Sequence, residues 1–236
     1  MSKLASWLIA AGLAVTAAGA AYPQAAPARF DYQVREDMFR GFFAGDKEAF
    51  ARAMALCEAR LAENPNHAEA LVWHGNGLLF LAGEAARVSE LDNAIALSRQ
   101  GVAEMAKAVA LDPDNIGVLV PRGAVLLAAA LRIQDAERAR SYVETAVGDF
   151  EKAMALQQRQ LGSMAAHPKG ELFAGLAEGW SRLGDAQKAR FYLTRIIAEL
   201  PDTPYSAANG GNSTGYPGFL YSSEGRFVYV QVTRKF

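Results

Sequence analysis

The chain has 236 residues, 51% hydrophobic and 21% charged, with a formal net charge of -1. This is the composition of a globular protein long enough for a substantial core, and its balanced charge removes any electrostatic case for nucleic acid or an anionic membrane as partner. The only cysteine, Cys57, excludes an internal disulfide.

Residues 4 to 20 carry no charge, follow Lys3 and end in Ala18-Gly19-Ala20, small residues of the kind a signal peptidase accepts. They read as a secretory signal over residues 1–20, which implies a periplasmic or secreted protein with no stable membrane insertion after cleavage. An uncleaved anchor is the competing reading, because the run approaches the roughly 20 residues that cross a bilayer. Residues 21–30, with Pro23 and Pro27 among alanines, read as a flexible leader.

From residue 31 the pattern is helical. Residues 31 to 43 place Val34, Met38, Phe39 and Phe42 on one side before Gly45-Asp46 turns the chain. Residues 47 to 64 put Phe50, Ala53, Met54, Cys57 and Leu61 on a common face and stop at Pro65; residues 68 to 81 start the next helix. A break is expected at Gly83, followed by a long helical stretch over 84 to 111 that contains Gly101. Glycine costs about 1 kcal/mol in a helix interior, so Gly101 marks the close approach of a neighbouring helix. Pro121 suggests that the following helix starts near Val120. Another runs from Ala136 to Gln160, then a loop with Pro168 over 162 to 170. The last hairpin, 171 to 183 and 185 to 200, turns at Gly184-Asp185 and ends at Pro201.

Across these segments one set of positions recurs: Ala53/Cys57/Arg60/Pro65, Gly101/Met105/Ala108/Pro113 and Ala189/Leu193/Ile196/Pro201. Ala146, Phe150 and Ala153 repeat the spacing, with Gln158 in the place of proline. Spacings of four and three set the first three positions on one helix face, and the proline acts as a stop. Cys57 on that face reads as a buried structural thiol. Beyond residue 204 the pattern breaks. Residues 205 to 218 are rich in Gly, Asn and Ser, and residues 219 to 236 alternate β-branched and aromatic residues around Glu224-Gly225, as a β-hairpin does. An isolated hairpin is marginal in water, so packing on the last helices, pairing with another chain and disorder all remain open.

The repeated positions resemble the tetratricopeptide repeat family. Phe173, Ala177 and Trp180 match its first helix, Gly184-Asp185 its turn, and Ala189, Leu193, Ile196 and Pro201 its second helix. Leu71, Gly75 and Leu78, and Leu119, Gly123 and Leu126, match two further first helices. The resemblance implies an all-α, right-handed solenoid of helical hairpins over residues 31–204, with residues 205–236 as linker and tail. The closing positions 65, 113, 158 and 201 are 48, 45 and 43 residues apart, where the family has about 34. The excess lies around residues 82 to 98, 129 to 139 and 161 to 169.

In related repeat proteins the first helices line a concave surface. Carried over to the matching positions, this implies a partner-binding groove of Asn66, Glu69, Trp73, Asn76, Asn115, Arg122, Glu178 and Arg182, with Trp73 and Arg122 as its strongest members. The leading expectation is a non-catalytic scaffold that binds a protein or peptide of unknown identity, with homo-oligomerisation left open. A ligand-binding accessory subunit of a solute uptake system is the alternative, expected to show an enclosed pocket lined by polar groups rather than an open groove. A hydrolase or metal protein is the third reading. His67 and His74 flank Glu69, but His67 falls in a turn and His167 is distant. Gly211-Asn212-Ser213-Thr214-Gly215 has the spacing of a nucleophile elbow without the flanking strand and helix. No cofactor is implied.

Overall fold

A computed structural model describes residues 29–199, which form eight α-helices and, among the described residues, no strand. The signal segment, most of the leader and the expected β-hairpin tail lie outside them. The helices are α1 (Asp31–Ala44), α2 (Lys47–Glu63), α3 (Ala68–Arg87), α4 (Leu91–Leu111), α5 (Ile116–Ala130), α6 (Ala136–Leu156), α7 (Ala166–Leu183) and α8 (Ala186–Glu199). They pack as four successive hairpins, and α3 also touches α1 and α5, while α5 touches α7. The odd-numbered helices therefore stand side by side.

Short polar residues start the helices. Ala49 N–H donates to Asp46 Oδ1 (2.9 Å), Arg138 N–H to Asp135 Oδ1 (2.7 Å) and Lys188 N–H to Asp185 Oδ1 (2.9 Å). Gly117 N–H donates to Asn115 Oδ1 (2.8 Å), and His67 Nδ1 caps α3 by accepting from Ala70 N–H (3.2 Å). Each cap satisfies a donor that the first turn leaves orphaned. Gly184, at φ 87°, ends α7 in the left-handed conformation that glycine adopts without strain.

Four boundaries differ from the sequence reading, the simplest being that α6 ends at Leu156, with Gln157 as its cap, and not at Gln160. α3 runs through Gly83 to Arg87, and the break falls at Val88–Glu90, where Ser89 takes φ 65°. Gly83 has a packing role instead: a Cβ there would lie 2.8 Å from Arg132 Nη1. α5 starts at Ile116 because Asn115 caps it, and Pro121 sits within the helix. α7 starts at Ala166 and takes Pro168 into its first turn, where a missing N–H costs little. The leader also ends sooner than expected: Phe30 is buried, with its ring centroid 5.2 Å from that of His67.

The repeated face is the core. Ala53, Cys57, Gly101, Met105, Ala108, Ala146, Phe150, Ala153, Ala189 and Ile196 are all buried, and burial pushes the Cys57 thiol up to about 12. At Gly75 an added Cβ would stand 2.7 Å from the Gly101 carbonyl oxygen, and one at Gly101 would stand 2.7 Å from the Gly75 oxygen. Backbone meets backbone there, so α3 and α4 pack more closely than side chains would permit. Phe150 of α6 fills the opposite kind of space, its ring within 3.0 Å of a Cβ built at either Gly123 or Gly175. The hairpin α3/α4 is also elongated, at 20 and 21 residues against 14 for α1 and 15 for α5. Five or six extra residues add about 8 Å of helix wall, which is where the first excess over the family period goes.

Candidate functional site

That wall borders a groove of about 1110 Å³, lined by α1, α3, α4, α5, α6 and the start of α7. α3 contributes Trp73, Asn76, Leu79, Phe80, Gly83 and Ala86, a stripe at helical spacing, and α4 contributes Leu91, Ala94, Ile95, Ser98, Arg99 and Val102. From α5 come Val120, Ala124, Val125 and Ala128, and from the connection after it Arg132. α1 adds Phe39, Phe42 and Phe43. The Phe39 and Trp73 ring centroids lie 5.8 Å apart, edge to face, and those of Phe42 and Phe80 lie 5.0 Å apart. The result is an aromatic wall on one side and an aliphatic one on the other. Phe43 (67% exposed), Leu91 (63%) and Ile95 (48%) remain uncovered at the rim, an arrangement that marks an interaction surface.

Two buried side chains interrupt the apolar lining. Trp73 and Asn76, each 3% exposed and one helical turn apart, carry an indole Nε1 donor and an Oδ1 acceptor with no hydrogen-bond partner among the described residues. Asn76 Nδ2 donates to the Pro121 carbonyl at 3.3 Å, which orients its amide. A buried polar atom without a partner costs about 1 to 3 kcal/mol, and both atoms are closed off from the groove surface, so that cost is carried within the wall.

A polar pole closes one end of the groove. Asp31, Arg35, His167 and Glu171 line it together. Arg35 lies over the Tyr32 ring at 4.7 Å. Burial, opposed by Arg35, pushes the Glu171 carboxyl up to about 7. The side chain is only partly exposed, and desolvation by the helices around it disfavours its charge. Burial likewise raises Asp31 above the usual carboxylate range and, with Arg35, lowers His167.

Of the eight residues expected in the groove, Trp73 and Asn76 line it and six do not. Asn66 is exposed in the turn before α3, its backbone N–H donating to Asn64 Oδ1. Glu69 is buried and accepts from Asp31 N–H (3.2 Å) and Asn115 Nδ2 (3.3 Å), with Arg29 at 3.6 Å, so Glu69 and Asn115 tie α1, α3 and α5 together. Arg122 donates through Nε and Nη2 to both oxygens of buried Asp149, at 2.7 and 2.5 Å, joining α5 to α6. Arg182 pairs with Glu178 and donates to the Leu127 carbonyl at 2.6 Å, joining α7 to α5. These charged positions are used in holding hairpins together.

The histidines singled out by spacing each have another partner. His67 caps α3, and His74 Nδ1 lies 2.6 Å from Glu104 on α4. Among the described residues no three His, Cys, Asp or Glu side chains converge as metal ligands, and no helix is long and apolar enough to cross a membrane. Ser213 lies outside the described residues. What sequence reasoning missed is the contribution of α4. Its stripe 91, 95, 98 and 102 is apolar or small and offset from the buried face 94, 101, 105 and 108, and two separate apolar faces on one helix signal two neighbours.

No family model matches the chain, and neither the curated proteins nor the solved structures include a significant match to it.

Proposed function

We propose that the protein is a non-catalytic adaptor whose TPR-like array of helical hairpins holds a peptide segment of another protein in the groove between α1, α3, α4 and α5. The observation that carries this reading is an open apolar groove with Phe43, Leu91 and Ile95 left uncovered at its rim. A peptide offers apolar side chains to both the walls and the rim, as an occupant of an apolar helical groove does. The volume of about 1110 Å³ also exceeds the ~300 to 1,000 Å³ usual for a drug-sized ligand. The array is right-handed in this reading, and the amino-terminal signal directs it to the periplasm or the exterior.

The test is a display selection of random peptides against the whole chain, with binding then measured by fluorescence anisotropy. Apolar peptides should be enriched, and Leu91→Asp with Ile95→Asp should weaken them at least about tenfold. Both side chains are exposed, so those substitutions leave the fold within about 0.5 kcal/mol of wild type. Failure to enrich any peptide, or equal binding to the double variant, would overturn the proposal.

A further inference from the structure

The arginines of the described region are divided in an informative way. Arg40, Arg52, Arg60, Arg87, Arg122, Arg140, Arg182 and Arg195 each have a carboxylate within 4 Å, as does Arg29 at the groove edge. Arg35, Arg99, Arg132, Arg138, Arg159 and Arg190 have no ion pair among the described residues, and the first four of these line the groove. The carboxylates in the lining are Asp31 and Glu171. Asp31 is already held by Arg29 at 3.0 Å, and Arg35 acts on Asp31 and Glu171, so Arg99, Arg132 and Arg138 are the lining arginines left without a carboxylate among the described residues. A protein of net charge -1 thus collects these positive charges around one apolar groove.

Arg132 lies in the connection between α5 and α6 and Arg138 in the first turn of α6, and Arg132 reaches across to α3 at Gly83. Arg99 stands on the facing α4 stripe. Three guanidiniums at the mouth of an apolar channel complement carboxylates that lie next to apolar residues in the occupant. We infer that the peptide held in the groove is acidic as well as apolar, its hydrophobic residues lying along α3, α4 and α5 and its Asp or Glu residues pairing with Arg99, Arg132 and Arg138. This rests on the peptide reading above and adds the chemistry of its partner. A fatty acid shares the apolar body but brings one carboxylate to three guanidiniums, whereas a peptide can carry several.

The probes are two synthetic peptides with a core of about eight Leu, Phe and Ser residues, flanked on both sides by glutamates in one and by glutamines in the other, together with sodium laurate. Each exposed pair contributes only a few-fold, so three together should make the glutamate peptide bind wild type about tenfold more tightly at low salt. That advantage should shrink at about 0.5 M salt, where the screening length falls well below 10 Å. It should vanish in Arg99→Gln/Arg132→Gln/Arg138→Gln. The reversed variant Arg99→Glu/Arg132→Glu/Arg138→Glu should regain binding to a lysine-flanked peptide, a rescue that a merely damaged fold would not give. Equal binding of both peptides, lost in Ile95→Asp, would overturn the acidic requirement while leaving the peptide groove intact. Binding of laurate with neither peptide bound would overturn both.

Discussion

Replacing Gly101 by alanine separates two effects that act in opposite directions. In an exposed helix the change would stabilise by about 1 kcal/mol, because glycine pays more backbone entropy. Here the new Cβ would stand 2.7 Å from the Gly75 carbonyl oxygen and 3.2 Å from Leu78 Cβ. An ordinary carbon–oxygen contact is near 3.4 Å, so α3 and α4 must part by about 0.7 Å along a contact that spans most of two long helices. Overpacking of that kind costs about 1 to 3 kcal/mol, leaving a net loss of up to ~2 kcal/mol after the propensity gain. For a domain of this size that lowers Tm by up to ~8 °C, and Gly101→Val, with no propensity gain to offset a larger clash, should lose more. The control is Gly148, inside α6, where an added Cβ meets nothing within 4 Å. Gly148→Ala should raise Tm by about 2 to 4 °C. Thermal melts followed by circular dichroism read both. A rise in Tm for Gly101→Ala equal to that of Gly148→Ala would refute the close packing of α3 on α4.

Arg122→Ala leaves buried Asp149, a carboxyl already pushed up by burial, without its partner. It should cost about 3 to 5 kcal/mol in a urea titration, while anisotropy shows the Kd for a selected peptide unchanged wherever the variant is folded. Glu171 has a folded-state pKa of about 7 against 4.5 unfolded, so its contribution to stability is fully present below pH 4.5 and is lost as pH rises through about 7. Glu171→Gln should therefore match wild type near pH 4 and exceed it near pH 8 by about 1 to 2 kcal/mol, once its partial exposure is discounted. Phe43→Ser, at an exposed rim position, should leave Tm within about 2 °C of wild type and weaken a selected peptide about tenfold by anisotropy.

The buried architecture was legible because it is periodic. The face Ala53/Cys57, Gly101/Met105/Ala108 and Ala146/Phe150/Ala153 follows from spacing alone, and Gly101 could be read as a close approach because glycine inside a helix needs a reason. Helix ends were less legible, since Pro121 and Pro168 are tolerated within and at the start of helices that Asn115 and the preceding turn set in place. The charged residues of the expected groove have structural partners that the sequence does not display. An arginine in a first helix reads the same whether it meets a partner or a buried carboxylate, and only the fold brings Asp149 to Arg122 and Leu127 to Arg182. Nor does the sequence single out Arg99, Arg132 and Arg138, because what distinguishes them is the lack of a carboxylate within 4 Å among the described residues, which only the fold decides.

Isoleucine methyl NMR of the whole chain, titrated with a selected peptide, tests the groove most directly. Ile95, Ile116 and Ile133 line it, whereas Ile196 is buried and Ile197 exposed on α8, away from it. The account predicts saturable shifts at the first three with Ile196 and Ile197 unmoved. Shifts confined to Ile196 and Ile197, or a bound peptide that moves none of the groove methyls, would contradict it.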